Sequence, residues 1–194
     1  MRARPYLFLL LTGVYLWFIS CMNEPDTLGS EDYSKYYPLN IGDSLVYHII
    51  PSVAPDTVHV LKVIDTTVID GNTCFVIRSK YPGRASFDTV YLRFSSGKGF
   101  SFYYDTALCI IDFNSDLGNG DTSQHNESTE LVNMRYFTYE VPAGSFDSCI
   151  STMSYGMVAP RESIYAPNVG EIHSKSNGSV AILIRAYVNS IVYP

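Results

Sequence analysis

Charge is scarce in this 194-residue sequence. Asp, Glu, Lys and Arg make up 16% of it, and the 13 basic residues are outnumbered by 19 acidic ones and form no block. A phosphate-binding surface needs clustered cations, so the composition argues against nucleic acid as a partner. Histidine is almost as sparse: His48, His59, His125 and His173 have neither the close spacing nor the neighbouring cysteine that would make a zinc ligand set. No Gly-x-Ser-x-Gly elbow is present. The glycine-rich Gly97-Lys98-Gly99 lacks the remainder of a phosphate loop and reads as a hairpin turn. Helical periodicity is also missing. The best candidate, Ala159 to Tyr165, is interrupted by Pro160 and stopped by Pro167, so it is a short turn at most. With no nucleophile–base pair and no cofactor motif, the expectation is a non-catalytic protein without a cofactor.

What the sequence does hold is apolar and aromatic: 46% hydrophobic, with 16 Tyr and 10 Phe. That is too apolar for intrinsic disorder and long enough for one real core. Part of the hydrophobicity is concentrated at the N-terminus. Arg2 and Arg4 precede an apolar run from Tyr6 to Ile19, which ends at Ser20-Cys21 and is followed by Asn23, Glu24, Pro25 and Asp26. The run is shorter than the ~20 residues a bilayer-spanning helix needs, and its order of charged, apolar and small residues is that of a secretory signal.

Phe18-Ile19-Ser20-Cys21 resembles the lipobox of bacterial lipoproteins, with Phe18 in place of the usual Leu. The resemblance implies that residues 1–20 are removed and that Cys21 is lipidated. The acyl chains would then anchor the protein to a membrane, each buried CH₂ contributing about 0.8 kcal/mol. Loss of Arg2 and Arg4 takes the net charge from −6 to −8. Residues 21–35 read as a flexible tether and 36–194 as one domain. Met22 after the cysteine fits outer-membrane sorting. Glu24 and Asp26 resemble the acidic export signal of surface lipoproteins in the Bacteroidetes, and both membrane faces stay open.

Within the domain the dominant period is two. Thr57 to Ile64 and Val180 to Val188 alternate β-branched residues with smaller, aromatic or charged ones, as half-buried strands do. Asp70-Gly71-Asn72 between two such runs is a hairpin signal. Further strands are expected at 45–50, 87–94, 99–104, 108–113, 131–141, 146–155 and 170–174. The fold class is therefore all-β, a single curved antiparallel sheet forming a half-barrel or open barrel with little helix. Phe100, Phe102 and Tyr104 share one face of a strand, where they either fill the core or present an apolar surface to a ligand.

Two local constellations could carry chemistry. Asp112, Asn114 and Asp116 alternate like the ligands of a calcium loop, but Leu117 and Ser123 stand where an EF-hand needs Gly and Glu. They form either a looser calcium turn or an ordinary solvated turn. A metal-dependent hydrolase would have to assemble Asp112, Asp116, Asp121 and His125. Beyond Cys21 there are Cys74, Cys109 and Cys149, giving either one disulfide, with Cys74–Cys149 the pairing expected, or three buried thiols.

Four segments, Tyr36 to Ser44, Gly118 to Thr122, Val141 to Ile150 and Tyr165 to Ile172, together resemble uncharacterised bacterial envelope lipoproteins related to the β-clam lipoprotein carriers. Leu45 and Ser123 stand where that group often has Trp. The resemblance implies a fold and an address, with no reaction. The resulting expectation is a lipid-anchored cell-envelope protein that binds an apolar ligand on its concave face or a protein partner at an edge. A structural or adhesive surface lipoprotein is the alternative.

Overall fold

The computed structural model describes residues 32–80, 86–103, 106–116, 129–155, 160–176 and 178–194. Among these residues, twelve strands follow in chain order. They are β1 (Ser44–Pro51), β2 (Thr57–Ile69), β3 (Asn72–Lys80), β4 (Asp88–Ser95), β5 (Lys98–Tyr103), β6 (Thr106–Asp116), β7 (Glu130–Val141), β8 (Gly144–Tyr155), β9 (Pro160–Ala166), β10 (Gly170–Ser176), β11 (Ser179–Val188) and β12 (Ile191–Tyr193). One 3₁₀ turn, Tyr33–Tyr36, precedes them.

The two strongest alternating runs fold as expected. Val180 to Val188 lies in β11, while Thr57–Ile64 and Thr66–Ile69 join into the single strand β2, which bulges between Val63 and Asp65. Asp70 and Gly71 make the β2–β3 turn with φ of 48° and 73°, the left-handed pair that a tight hairpin requires.

Each strand pairs with its chain neighbour, and β1 also pairs with β11 along its full length, from Ser44↔Tyr187 to Pro51↔Ser179. The sheet of β1 to β11 is therefore a closed barrel, where the sequence pattern suggested a half or open one. Closure removes the two unpaired edges that an open sheet would expose. One pair departs from the antiparallel meander: β6 and β7 run parallel, with Ile111 beside Glu130. Near the other end, β11 pairs β10 only from Ser179 to Ile182, and its remaining edge accepts the Ala143 N–H at Leu183 and then β12.

The expected short turn at 159–165 is instead β9. Ser163 to Ala166 are all buried, so both faces of this strand are covered and neither a helical nor an alternating pattern is visible. Pro160 is its first residue, a position that spares the ladder. Tyr33 to Lys35, expected in the tether, belong to the 3₁₀ turn, and the compact unit runs Asp32–Pro194.

Two buried clusters form the core. One joins Tyr47, Phe146, Cys149, Ile164, Ile172 and Leu183, with Phe137 and Tyr139 packed against it. The other joins Tyr36, Ile111, Phe113, Val132, Ile150 and Tyr165. Phe102 is buried and Phe100 half-buried beneath the Arg93 guanidinium, so these two rings serve packing; Tyr104 lies outside the described residues.

Candidate functional site

The N-terminal 3₁₀ turn packs into the core rather than lying over it. Asp32 caps the turn by accepting the Ser34 N–H at 3.0 Å, and hydrogen bonding by the Ser34 side chain, with that N–H, holds its carboxyl below the usual range. Tyr36 is fully buried, with its hydroxyl donating to the Ser148 carbonyl at 2.7 Å. Arg135 reaches the Tyr33 hydroxyl at 2.9 Å, the Phe113 carbonyl at 2.9 Å and Asp116 Oδ1 at 2.7 Å. Tyr37 stacks on Phe94 with ring centroids 5.4 Å apart, and Phe113 meets Tyr165 edge-on at 5.3 Å. The Lys35 carbonyl accepts the Asn168 N–H at 2.5 Å, tying the turn to the β9–β10 connection. The aromatic residues that precede the first strand thus occupy interior space that an empty concave sheet would leave to a ligand.

Beside them lies a pocket of about 80 Å³, partly open to solvent. Leu39, Leu45, Leu61, Val63, Ile77, Leu92, Val169 and Val188 make its apolar wall, and Tyr37, Tyr47, Asp43 and Glu171 supply the polar margin. The Tyr47 hydroxyl donates to the Glu171 carbonyl at 2.8 Å. Burial, reinforced by the Glu171 carboxylate, raises the Tyr37 and Tyr47 phenol pKa values well above the ordinary one, so both remain neutral donors. Drug-sized sites begin near ~300 Å³, so this space admits a small apolar group or the end of a chain and not a whole lipid.

Behind Tyr37 and Tyr165 is a carboxylate network that nothing in the sequence marked. Glu130, the first residue of β7, is buried. Its Oε2 accepts from the Thr152 hydroxyl at 2.6 Å and the Tyr165 hydroxyl at 3.1 Å, and its Oε1 accepts from Ser163 at 3.1 Å. Arg161 Nε lies 3.2 Å from Oε1, and its Nη2 lies 2.6 Å from Glu171. Burial raises the Glu130 pKa, Arg161 opposes that rise, and Glu171 adds to it. Every donor around Glu130 is already spent on it. The network braces β7, β8 and β9, with both Glu130 oxygens held by protein donors.

The residues singled out in the sequence are placed differently. Asp112 is buried, but its carboxylate meets Lys98 Nζ at 3.0 Å, the Asn114 N–H at 3.0 Å and the Ser115 hydroxyl at 3.0 Å. Asn114 turns its amide to the Ser96 carbonyl, and Asp116 pairs with Arg135. Asp112 and Asp116 therefore answer protein donors, and Asn114 donates to a carbonyl, instead of the three converging on a calcium ion; among the described residues no cluster of His, Cys, Asp or Glu could hold a metal. Asp121, His125 and Cys21 lie outside the described residues. The Cys74–Cys149 disulfide is not formed. Both are buried thiols, Cys74 Sγ on the Asn72 carbonyl and Cys149 Sγ on the Phe146 carbonyl, each taken up by its own strand's packing. His59 is half-buried, its ring 2.7 Å from the Ser79 hydroxyl.

The Gly42-Asp43 motif is structural. The buried Asp43 accepts the Asn40 N–H at 3.0 Å through Oδ2 and the Asn189 N–H at 3.0 Å through Oδ1, so it locks the start of β1 to the β11–β12 turn at the barrel seam.

A closed meander barrel with a filled interior is the class of fold these observations define, and two solved structures share it. A Bacteroides fragilis protein described as exported, with a YmcC-like fold, superposes with a TM-score of 0.52 at 14% identity, covering 77% of this chain and 97% of that one. A Parabacteroides distasonis protein described as a lipoprotein gives 0.51 at 13% identity, covering 78% and 97%. At these identities the likeness establishes the fold. No family model and no curated protein matches the sequence.

Proposed function

We propose that the chain is a non-catalytic cell-envelope lipoprotein, anchored at the outer membrane through Cys21, whose barrel takes the apolar end of a small ligand into the pocket beside Tyr37. The pocket carries this reading: eight aliphatic side chains and Pro38 surround a space that opens to solvent next to neutral phenols and Glu171. The non-catalytic reading is supported by Glu130, whose donors are consumed internally. The signal and lipobox pattern at residues 1–21 supports the address, and so does the fold shared with proteins described as exported or lipoprotein.

Titration of the mature chain with saturated fatty acids of increasing length tests the pocket. Each CH₂ that enters an apolar space is worth about 0.8 kcal/mol, so affinity rises about fourfold per carbon until the pocket is full and then levels off. Leu92→Trp, which fills the space, abolishes that dependence. Affinity that is flat with chain length, or unchanged by Leu92→Trp, overturns the ligand reading. The anchor is tested separately by metabolic labelling with palmitate, where undiminished incorporation into Cys21→Ser would refute it.

A further inference from the structure

One corner of the barrel is apolar on the outside and is used by neither the pocket nor the carboxylate network. Ile41 is 62% exposed, Tyr187 43%, Ile191 51% and Val192 66%. Tyr187 and Val192 are neighbours by register, paired across β11 and β12, and Tyr187 also pairs with Ser44 at the start of β1; Ile191 pairs with Val188, so it leaves the other face of β12 at the same end of the barrel. Asn189, in the turn before Ile191, is bound by the Asn40 amide at 2.5 Å and donates its own N–H to Asp43 at 3.0 Å, on either side of Ile41. The corner is thus a fixed surface.

The chain enters the compact unit at the same end, where Asp32, Asn40 and Asn189 line one shallow cleft. Eleven chain steps, across the ten residues 22–31, separate Asp32 from Cys21. They can reach at most ~36–40 Å.

We propose that this corner, Ile41, Tyr187, Ile191 and Val192, seats on the lipid surface that holds Cys21, at the headgroup boundary. The proposal rests on lipidation of Cys21. So short a tether keeps the corner at roughly millimolar effective concentration beside the bilayer, which makes a weak insertion count. The opposite rim also exposes apolar side chains, Val53 at 95% and Phe87 at 51%. It is farther away by the length of the strands, however, about 26 Å for the eight residues of β1. Tyr187, with an apolar ring and a polar tip, has the chemistry of a membrane-interface residue. The acidic balance of the mature chain selects a zwitterionic surface over an anionic one.

The only tryptophan is Trp17, inside the segment that processing removes, so a single introduced tryptophan reports on its own position. Lipidated mature chain carrying Ile191→Trp, Val192→Trp or Val53→Trp is reconstituted on phosphatidylcholine vesicles containing brominated lipid, with Tyr187→Trp as the replacement for any variant whose circular dichroism departs from wild type. The expected result is that tryptophans at the corner are quenched several-fold more than tryptophan at position 53, and that phosphatidylglycerol weakens the difference. Equal quenching at both rims in protein that floats with the vesicles overturns the proposal while leaving the anchor intact. If wild-type protein does not float, or Cys21→Ser floats equally well, the anchor reading falls and the proposal falls with it.

Discussion

Replacing Glu130 by Ala tests the account of the barrel interior most directly. Three buried hydroxyls, those of Thr152, Ser163 and Tyr165, donate to this one carboxylate, and none has water to turn to. An orphaned buried donor costs about 1–3 kcal/mol, and some of that is recovered where a hydroxyl can rotate. Arg161 is not left as a stranded cation: its side chain is 44% exposed and keeps Glu171 at 2.6 Å. The expected loss is therefore about 3–5 kcal/mol, the range found when one partner of a buried pair is removed. For a domain of this size each kcal/mol moves the melting temperature by ~2–4 °C, so the fall is about 6–20 °C. Glu130→Gln keeps shape and one acceptor oxygen, and is expected to cost about 1–2 kcal/mol. Thermal melts followed by circular dichroism, with urea titrations for the free energies, read both variants. An Ala variant that melts within ~2 °C of wild type, or a Gln variant as damaging as Ala, would refute the network as described.

Other consequences are quickly checked. Because burial raises the Glu130 pKa above its ordinary 4.5, the folded state holds more protons than the unfolded one between those values; this contribution to stability falls as pH rises through the window and returns on acidification. The difference in melting temperature between wild type and Glu130→Gln should therefore grow in favour of wild type as the pH is lowered from neutral toward the ordinary value, and a difference that shrinks contradicts the assignment. His173 has the opposite sign: desolvation lowers its pKa below 6.5, so its contribution is present above that value and is lost on acidification, and His173→Gln should flatten that loss. Tyr36→Phe removes the hydroxyl that donates to Ser148 and should cost about 1 kcal/mol, while Tyr36→Ala opens a cavity and should cost about 3–5 kcal/mol; equal costs would mean that the ring is not packed. Since Cys74 and Cys149 are unbridged, a reducing agent should leave the melt unchanged.

What could be read in the sequence was local. The alternation of β11, the Asp70-Gly71 turn and the break between the strands expected at 131–141 and 146–155 each depend on residues within a few positions of one another, and each folds as its pattern says. β9 could not be read because alternation exists only where one face is wet. Ile164 and Ala166 pack in one cluster while Tyr165 packs in the other, so the strand shows a solid apolar run behind a proline. Closure was illegible for a different reason. The β1–β11 ladder joins residues more than a hundred positions apart, and neither strand differs in composition from an edge strand.

The same distance rule explains why the interior chemistry was missed. Glu130 is an acidic residue at the start of a strand, which in a sequence reads as solvent-facing. It becomes a buried acceptor only because the parallel β6–β7 pairing sets it beside Ile111, while β8 and β9 bring Thr152, Ser163 and Tyr165 to its oxygens. Asp112 shows the converse. Its alternation with Asn114 and Asp116 matched a cation loop locally, but Lys98 on β5 and Arg135 on β7 answer two of the three groups. Tyr36 and Tyr37 did carry a signal: two adjacent aromatic residues following a polar stretch are costly to leave in water, by about 1.5–3 kcal/mol for each large apolar side chain. That cost draws the chain into the compact unit from Asp32 onward, and it fills the concave face that an open sheet would have offered to a ligand. Beside that filling lies the apolar pocket between Leu39, Leu61 and Leu92, whose size would limit a guest there to part of a molecule.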